Sequence, residues 1–399
     1  MKHNSSLKLM IKETDWVLYL LCILASVYGV LMVYSATYRL KGDSLIASDC
    51  IMTVVGSVLG IGLCFVVSHI DFEILMRLAP IIAGVSVLLM CSLFIFGESP
   101  SGRDDAICWL YFRIGSRKIS FQPSELVKIG FVITFSTHID AVKDNINSIK
   151  NIILLCVHGM IPIGLVILTG DLGSALVFIF IFVIMMFLGG VQLRYFAIAV
   201  VAAVIALPVL WIKFFSQFQK DRLLAVYYPA ALSDDSYAKI IYQQARGLRT
   251  IGSGMFFGQG FLKGTLTQSG YVPINDSDMI FTVVGEELGF IGCVLLLALL
   301  AAIVIRLFHN GQKSGNPGGY LICTGIATMI AAQTIINVGV NLVLLPCIGI
   351  TLPFMSAGGS SSLCIYIGIG VALSVYRNTC AREPVNFRVR NISTPFKET

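Results

Sequence analysis

Long uncharged apolar runs separated by short polar stretches dominate the chain. They cover residues 16–35, 51–68, 78–97, 151–170, 172–193, 195–212 and 288–305, and no charged residue lies between Ser314 and Tyr376. A helix needs about 20 apolar residues to cross bilayer hydrocarbon, so each run predicts a span. Residues 346–362 hold two prolines and a Gly/Ser cluster, which divides the last stretch into two helices joined by a loop. A further span is predicted over residues 123–138, although it carries Glu125 and Lys128. No signal-peptide cleavage site follows the first run, which is therefore expected to stay in the membrane. The pattern predicts an all-α integral membrane protein with ten transmembrane helices, forming a single polytopic domain over residues 1–399. A large extracytoplasmic loop, 214–277, is expected between helices 7 and 8, and a basic cytoplasmic tail over 379–399.

Composition agrees. The 399 residues are 56% hydrophobic and only 13% charged, whereas a soluble domain carries about 25% charged residues. The net charge of +6 comes from basic residues at span ends, where they act as snorkelling anchors and topology signals. A nucleic-acid partner is therefore not expected. The 11 cysteines mostly lie within apolar runs and show no CxxC spacing, so they read as small packers, not as a disulfide framework or a metal site.

Loop charge sets the expected orientation. With the N-terminus inside, 14 of the 28 Lys and Arg fall on inner segments and 6 on short outer loops. The positive-inside rule then places both termini of this multi-pass protein in the cytoplasm. Four segments rich in polar, Gly and Pro residues consequently emerge together on the outer face: 98–128, 170–173, 214–277 and 346–361. Polar loops held by a rigid scaffold are where function usually sits.

Three motifs stand out. In Gln122-Pro123-Ser124-Glu125-Leu126-Val127-Lys128, Pro123 suits a first helical turn, and Glu125 and Lys128 share a face. A neutralised ion pair is the plain reading, but ionisable groups inside a span are costly and usually functional. In Pro273-Ile274-Asn275-Asp276-Ser277-Asp278, Asp276 or Ser277 is a candidate helix cap, with Asp278 in the first turn. A carboxylate partly buried there also suits a general base. Glu286 and Glu287 follow further along the same helix, facing either a polar bundle interior or a partner helix. Leu352-Pro353-Phe354-Met355-Ser356-Ala357-Gly358-Gly359-Ser360 reads equally as an anion-cradling turn or as a closely packed re-entrant loop. Asp171 reads as a cap, Trp109 and Tyr111 as interfacial belt residues, and Arg222 as a phosphate grip or a surface ion pair.

Taken together, these motifs resemble the SEDS family (shape, elongation, division and sporulation), whose members include RodA, FtsW and SpoVE. The likeness runs over residues 15–376 and adds Asp171-Leu172-Gly173, 252–260, Gly285-Glu286-Glu287-Leu288-Gly289, and Gln333 with Asn337. Gly264-Thr265, Thr267-Gln268 and Tyr271-Val272-Pro273 are more similar to the RodA branch than to FtsW. The resemblance implies a peptidoglycan glycosyltransferase that polymerises lipid II into glycan for cell elongation and shape and releases undecaprenyl pyrophosphate. The family's essential aspartate falls on Asp278, whose implied role is general base toward the acceptor hydroxyl. The implied substrate contacts are Trp109, Gln122, Ser124, Glu125, Lys128, Arg222, Thr265, Gln268, Ser356, Gly358, Gly359 and Ser360. Lys128 and Arg222 are the candidates to stabilise the leaving diphosphate, with a divalent cation (Mg or Mn) as a possible aid. A class B penicillin-binding protein is the implied partner.

Three positions depart from the family pattern: Cys108 for Arg, Asp276 for His and Ala357 for Tyr. The second sets two carboxylates side by side, a pair that can share a proton. The competing readings are a flippase or other transporter for a lipid-linked precursor, a division or sporulation polymerase, and a scaffold for a cell-wall partner. A transporter should show internal repeats with broken helices at the midplane, and no such symmetry is visible in the sequence.

Overall fold

A computed structural model describes residues 14–41, 46–99, 106–114, 117–213 and 215–382. In chain order the first helices are α1 (Trp16–Thr37), α2 (Ser48–Ser68), the short α3 (Phe72–Arg77) and α4 (Ala79–Phe96). An antiparallel hairpin follows, β1 (Leu110–Ile114) with β2 (Arg117–Phe121), paired Leu110 to Phe121 through Ile114 to Arg117. Then come α5 (Pro123–Val142), α6 (Ile149–Leu168), α7 (Leu172–Leu188) and α8 (Leu193–Lys213). The chain continues through α9 (Gln217–Tyr227), α10 (Asp234–Ser253), α11 (Thr265–Ser269), α12 (Ile280–Lys313), α13 (Pro317–Asn341) and α14 (Gly359–Arg382).

Among the described residues, eight helices are long and apolar enough to cross a membrane: α1, α2, α4, α6, α8, α12, α13 and α14. The expected span at 123–138 is the helix α5, and the one at 172–193 is the apolar but shorter α7, which ends at Leu188. The protein is a multi-pass helical membrane protein. Leu20, Leu88, Ile95 and Val204 lie on outward faces, as lipid-facing side chains do, and the core gathers on α13 and α14.

Two contacts fix the level of α12 against α1. At one end Asp15 caps α1 through Leu18 N (3.3 Å) and accepts from Arg306 Nε (2.7 Å), Arg306 Nη2 (2.9 Å) and Asn310 Nδ2 (2.7 Å). At the other, Ser35 Oγ donates to Glu287 Oε1 at 2.6 Å. About 20 residues of α12 thus match one bilayer thickness. They coincide with the apolar run 288–305, and the first turns of this 34-residue helix stand beyond the end of α1.

The structure corrects three expectations. The segment 214–277 is not a plain loop, since α9, α10 and α11 occupy much of it. The sequence hides them because α10 is amphipathic and short on apolar residues. Neither Asp276 nor Ser277 caps α12, whose N-cap is Met279 with no side-chain capping bond. A two-stranded hairpin, missed because its strands are only five residues each, joins the helices. The basic tail beyond residue 382 lies outside the described residues.

Candidate active site

The four polar segments do meet. Ile107 N donates to Thr169 O at 2.8 Å, and Gln122 Nε2 to Asp171 Oδ2 at 2.8 Å. Asp171 also caps α7 through Ser174 N, as its position suggested. From the far side, Ala357 N donates to Asp276 O at 2.7 Å, and Ser356 Oγ to Ser277 O at 2.9 Å. A cavity of about 500 Å³ opens among them, lined by Asp49, Trp109, Ser120, Asp276 and Gly358 to Ser360. Its other wall is α2, which can lie directly against the start of α14 because Gly56 has no Cβ to strike Gly359. A second cavity of about 310 Å³, among α4, α5 and α6, is almost wholly apolar apart from Ser86, Thr134 and His158.

Asp276 contributes to the cavity wall. Asp278, two residues on, is half-buried and accepts from Ser277 Oγ at 2.9 Å. Burial raises the Asp276 carboxyl above its ordinary value, and the charges of Asp49 and Asp278 raise it further, against a lowering from its own backbone N–H. These acids therefore feel one another, as a proton-sharing pair requires. The described residues lining the cavity include no Lys or Arg. No group of three or more His, Cys, Asp or Glu is placed among the described residues to hold a metal ion.

The remaining sequence candidates divide by place. Trp109, Gly358, Gly359 and Ser360 line the cavity. Gln122 and Ser124 tie α5 to α7, the latter through Ser174 Oγ at 3.3 Å. Lys128 is fully buried and bonded to Glu125 at 2.7 Å, so its charge is neutralised inside the bundle. Arg222 stacks over Phe218 on α9, 4.1 Å from the ring centre, and is not among the cavity residues. Thr265 and Gln268 reach Glu286 and Glu287 at 3.4 and 3.3 Å. The Ser356 hydroxyl is engaged by Ser277 O and Leu352 N.

Glu286 and Glu287 face the bundle interior and the returning loop. Glu286 accepts from Leu266 N (2.8 Å) and Thr267 N (2.7 Å), and Glu287 from Leu262 N (3.1 Å). Just below them α12 breaks at Gly289, with φ of 66°. The opened backbone is satisfied by the 255–260 turn: Gln259 N and Gly260 N donate to Glu286 O and Glu287 O, while Phe290 N and Ile291 N donate to Met255 O and Phe256 O. Broken backbone at this level is tolerated only when so paired. Sequence reasoning passed over Asp49, an acid in the first turn of an apolar span, and Asn341, one helical turn beyond Asn337.

The family model of the FtsW, RodA and SpoVE cell cycle proteins matches residues 15–380. A protein of Geobacter sulfurreducens named probable peptidoglycan glycosyltransferase FtsW is 30% identical, over 92% of this chain and 95% of its own. Peptidoglycan glycosyltransferase MrdB of Escherichia coli K12 is 27% identical, over 92% of this chain and 96% of its own. Among solved structures, a chain from a peptidoglycan synthase complex that coordinates polymerization and crosslinking superposes with a TM-score of 0.75. It is 27% identical and covers 92% of this chain and 98% of its own.

Proposed function

This chain belongs to the family of the FtsW, RodA and SpoVE cell cycle proteins, and from that premise we infer that it is a peptidoglycan glycosyltransferase. The finer reading is a ten-span enzyme that polymerises lipid II at the outer face of the membrane, with both termini inside. One observation carries it: three of the four polar segments expected on one face, 98–128, 214–277 and 346–361, wall a single cavity that includes Trp109 and Asp276, and Asp278 follows Asp276 by two residues. An aromatic ring and carboxylates suit a sugar, the ring against its apolar face and the acids toward its hydroxyls.

In this reading the Asp278 carboxylate takes the proton of the acceptor hydroxyl. The acceptor oxygen forms a bond to the anomeric carbon of the donor. The bond from that carbon to the diphosphate breaks, and the electron pair leaves with undecaprenyl diphosphate. Attack opposite the leaving group turns an α-linked donor into a β-linkage. Positioned general bases contribute about 10²- to 10⁴-fold. Lys128 and Arg222 lie outside the cavity wall, and among the described residues the first N–H groups of α14, which begins at Gly359 in that wall, are placed to stabilise the diphosphate. The transpeptidase partner, a class B penicillin-binding protein, is proposed on the likeness to the peptidoglycan synthase complex. A role in elongation is proposed on the motifs around Gly264 and Tyr271. Overall likeness does not separate the branches, with 30% identity to a protein named FtsW and 27% to one named MrdB.

The test is the purified full chain in vesicles with fluorescent lipid II, followed for glycan product and for transbilayer movement. Glycan ladders without accelerated movement are expected. Movement without glycan would support the transporter instead.

A further inference from the structure

Four hydrogen bonds, two from α13 and two from the 356–357 loop, fall on three consecutive carbonyls around Asp278. Asp276 O accepts from Ala357 N (2.7 Å) and Ser277 O from Ser356 Oγ (2.9 Å). Asp278 O accepts from Asn337 Nδ2 (2.8 Å) and Asn341 Nδ2 (3.1 Å). The donors are themselves held. Asn337 Nδ2 also donates to Ile350 O at 2.7 Å, and Asn341 Nδ2 to Asn337 O at 2.9 Å and Asn337 Oδ1 at 3.1 Å. Each amide nitrogen meets only acceptors here, which fixes which way the amide faces. Ser356 Oγ accepts from Leu352 N at 2.7 Å, so this hydroxyl both donates and accepts within the wall. All three side chains are almost wholly buried: Asn337 1%, Asn341 0% and Ser356 4% exposed.

Peptide planes are rigid, so fixing successive carbonyls fixes the backbone torsions between them. The 273–279 segment runs as turns, with Ile280 N also donating to Ser277 O at 3.3 Å, and α12 starts only at Ile280. Left-handed backbone flanks both sides of the joint, at Ile274 (φ 53°) and Phe354 (φ 64°). Non-glycine residues keep that form only where their surroundings impose it.

We infer that Asn337, Asn341 and Ser356 are positioning residues: they clamp the backbone that carries Asp278 and so set where its carboxylate meets the acceptor hydroxyl. The inference rests on Asp278 being the base. It reassigns Ser356 from substrate contact to support. A displacement of about 1 Å in a catalytic group can cost roughly 100-fold in rate.

The test uses the purified full chain and lipid II, with kcat and KM for glycan formation measured beside thermal unfolding in detergent. Asn341→Ala and Ser356→Ala should lower kcat about 10- to 100-fold, with KM and melting temperature little changed. Ser356→Thr, which keeps the hydroxyl, should recover most of the rate. A rise in KM at constant kcat would overturn the clamp in favour of substrate contact. Full activity in both alanine variants while Asp278→Ala is inactive would overturn the clamp and leave the base in place. Activity in Asp278→Ala would instead remove the reading on which the clamp rests. Should Asn341→Ala unfold, Asn341→Leu stays close in volume while losing the donor without adding a charge. Unfolding of that variant as well would assign the asparagine to stability and overturn its positioning role.

Discussion

Two pairs of carboxylates, one just before α12 and one two turns inside it, meet opposite fates. Glu286 and Glu287 are 0% exposed, and backbone N–H groups of Leu262, Leu266 and Thr267, with the Ser35 hydroxyl, bind their oxygens. Asp276 and Asp278 are only half-buried, beside a cavity, with Asp49 near enough to oppose the charge of Asp276. The first pair is committed to holding the chain together. The second stands at the cavity wall or two residues from it. On the proposed mechanism, the same chemistry serves structure in one place and catalysis in the other, according to its surroundings.

Glu286→Ala should break the structural half of this contrast. It leaves the buried Thr267 N–H and the part-buried Leu266 N–H without an acceptor, at a cost of about 3 kcal/mol. The expected result is a clearly lower melting temperature in detergent, with activity lost as the protein unfolds. Loss of polymerisation at an unchanged melting temperature would erase the distinction between the pairs.

Asp276→Asn sharpens the other half, with a smaller effect. The Asp276 carboxyl is raised above its ordinary 3.8 by burial and by the acids beside it. A group whose folded pKa is raised adds stability below its unfolded value and loses it as pH rises through the folded value, so Asp276 contributes less stability at neutral pH than in acid. The neutral variant should therefore melt slightly higher at pH 7. The acid limb of its rate profile should move to lower pH, because one carboxylate no longer opposes ionisation of the other. An unchanged profile would mean that the two acids do not titrate as a pair.

Much of this was legible in the sequence, and the exceptions share a cause. Apolar runs declare helices because lipid admits few other elements, so the 16–35 run appears as α1 and the two prolines in 346–353 fall between α13 and α14. The convergence of 98–128, 170–173 and 346–361 followed from counting crossings. Helices α9 and α10 stayed hidden because their sequences are largely polar and no long apolar run marks them. Asp278 is not a first-turn residue, because it lies in the turns before α12, where Asn337, Asn341 and Ser356 from elsewhere in the chain bond its own carbonyl and that of Ser277. No local pattern reports a competitor from another part of the chain. Lys128 shows the same limit, since spacing revealed its partner Glu125 but not that both would be sealed from the cavity.

On the proposed mechanism the Asp278 carboxylate, not the Asp276 carboxylate in the cavity wall, accepts the proton. Initial rates of glycan formation from lipid II by purified Asp278→Asn and Asp276→Asn, both folded, separate the two. A fall of about 10²-fold or more is expected for Asp278→Asn, with substantial activity kept by Asp276→Asn. The reverse order would move the base to Asp276.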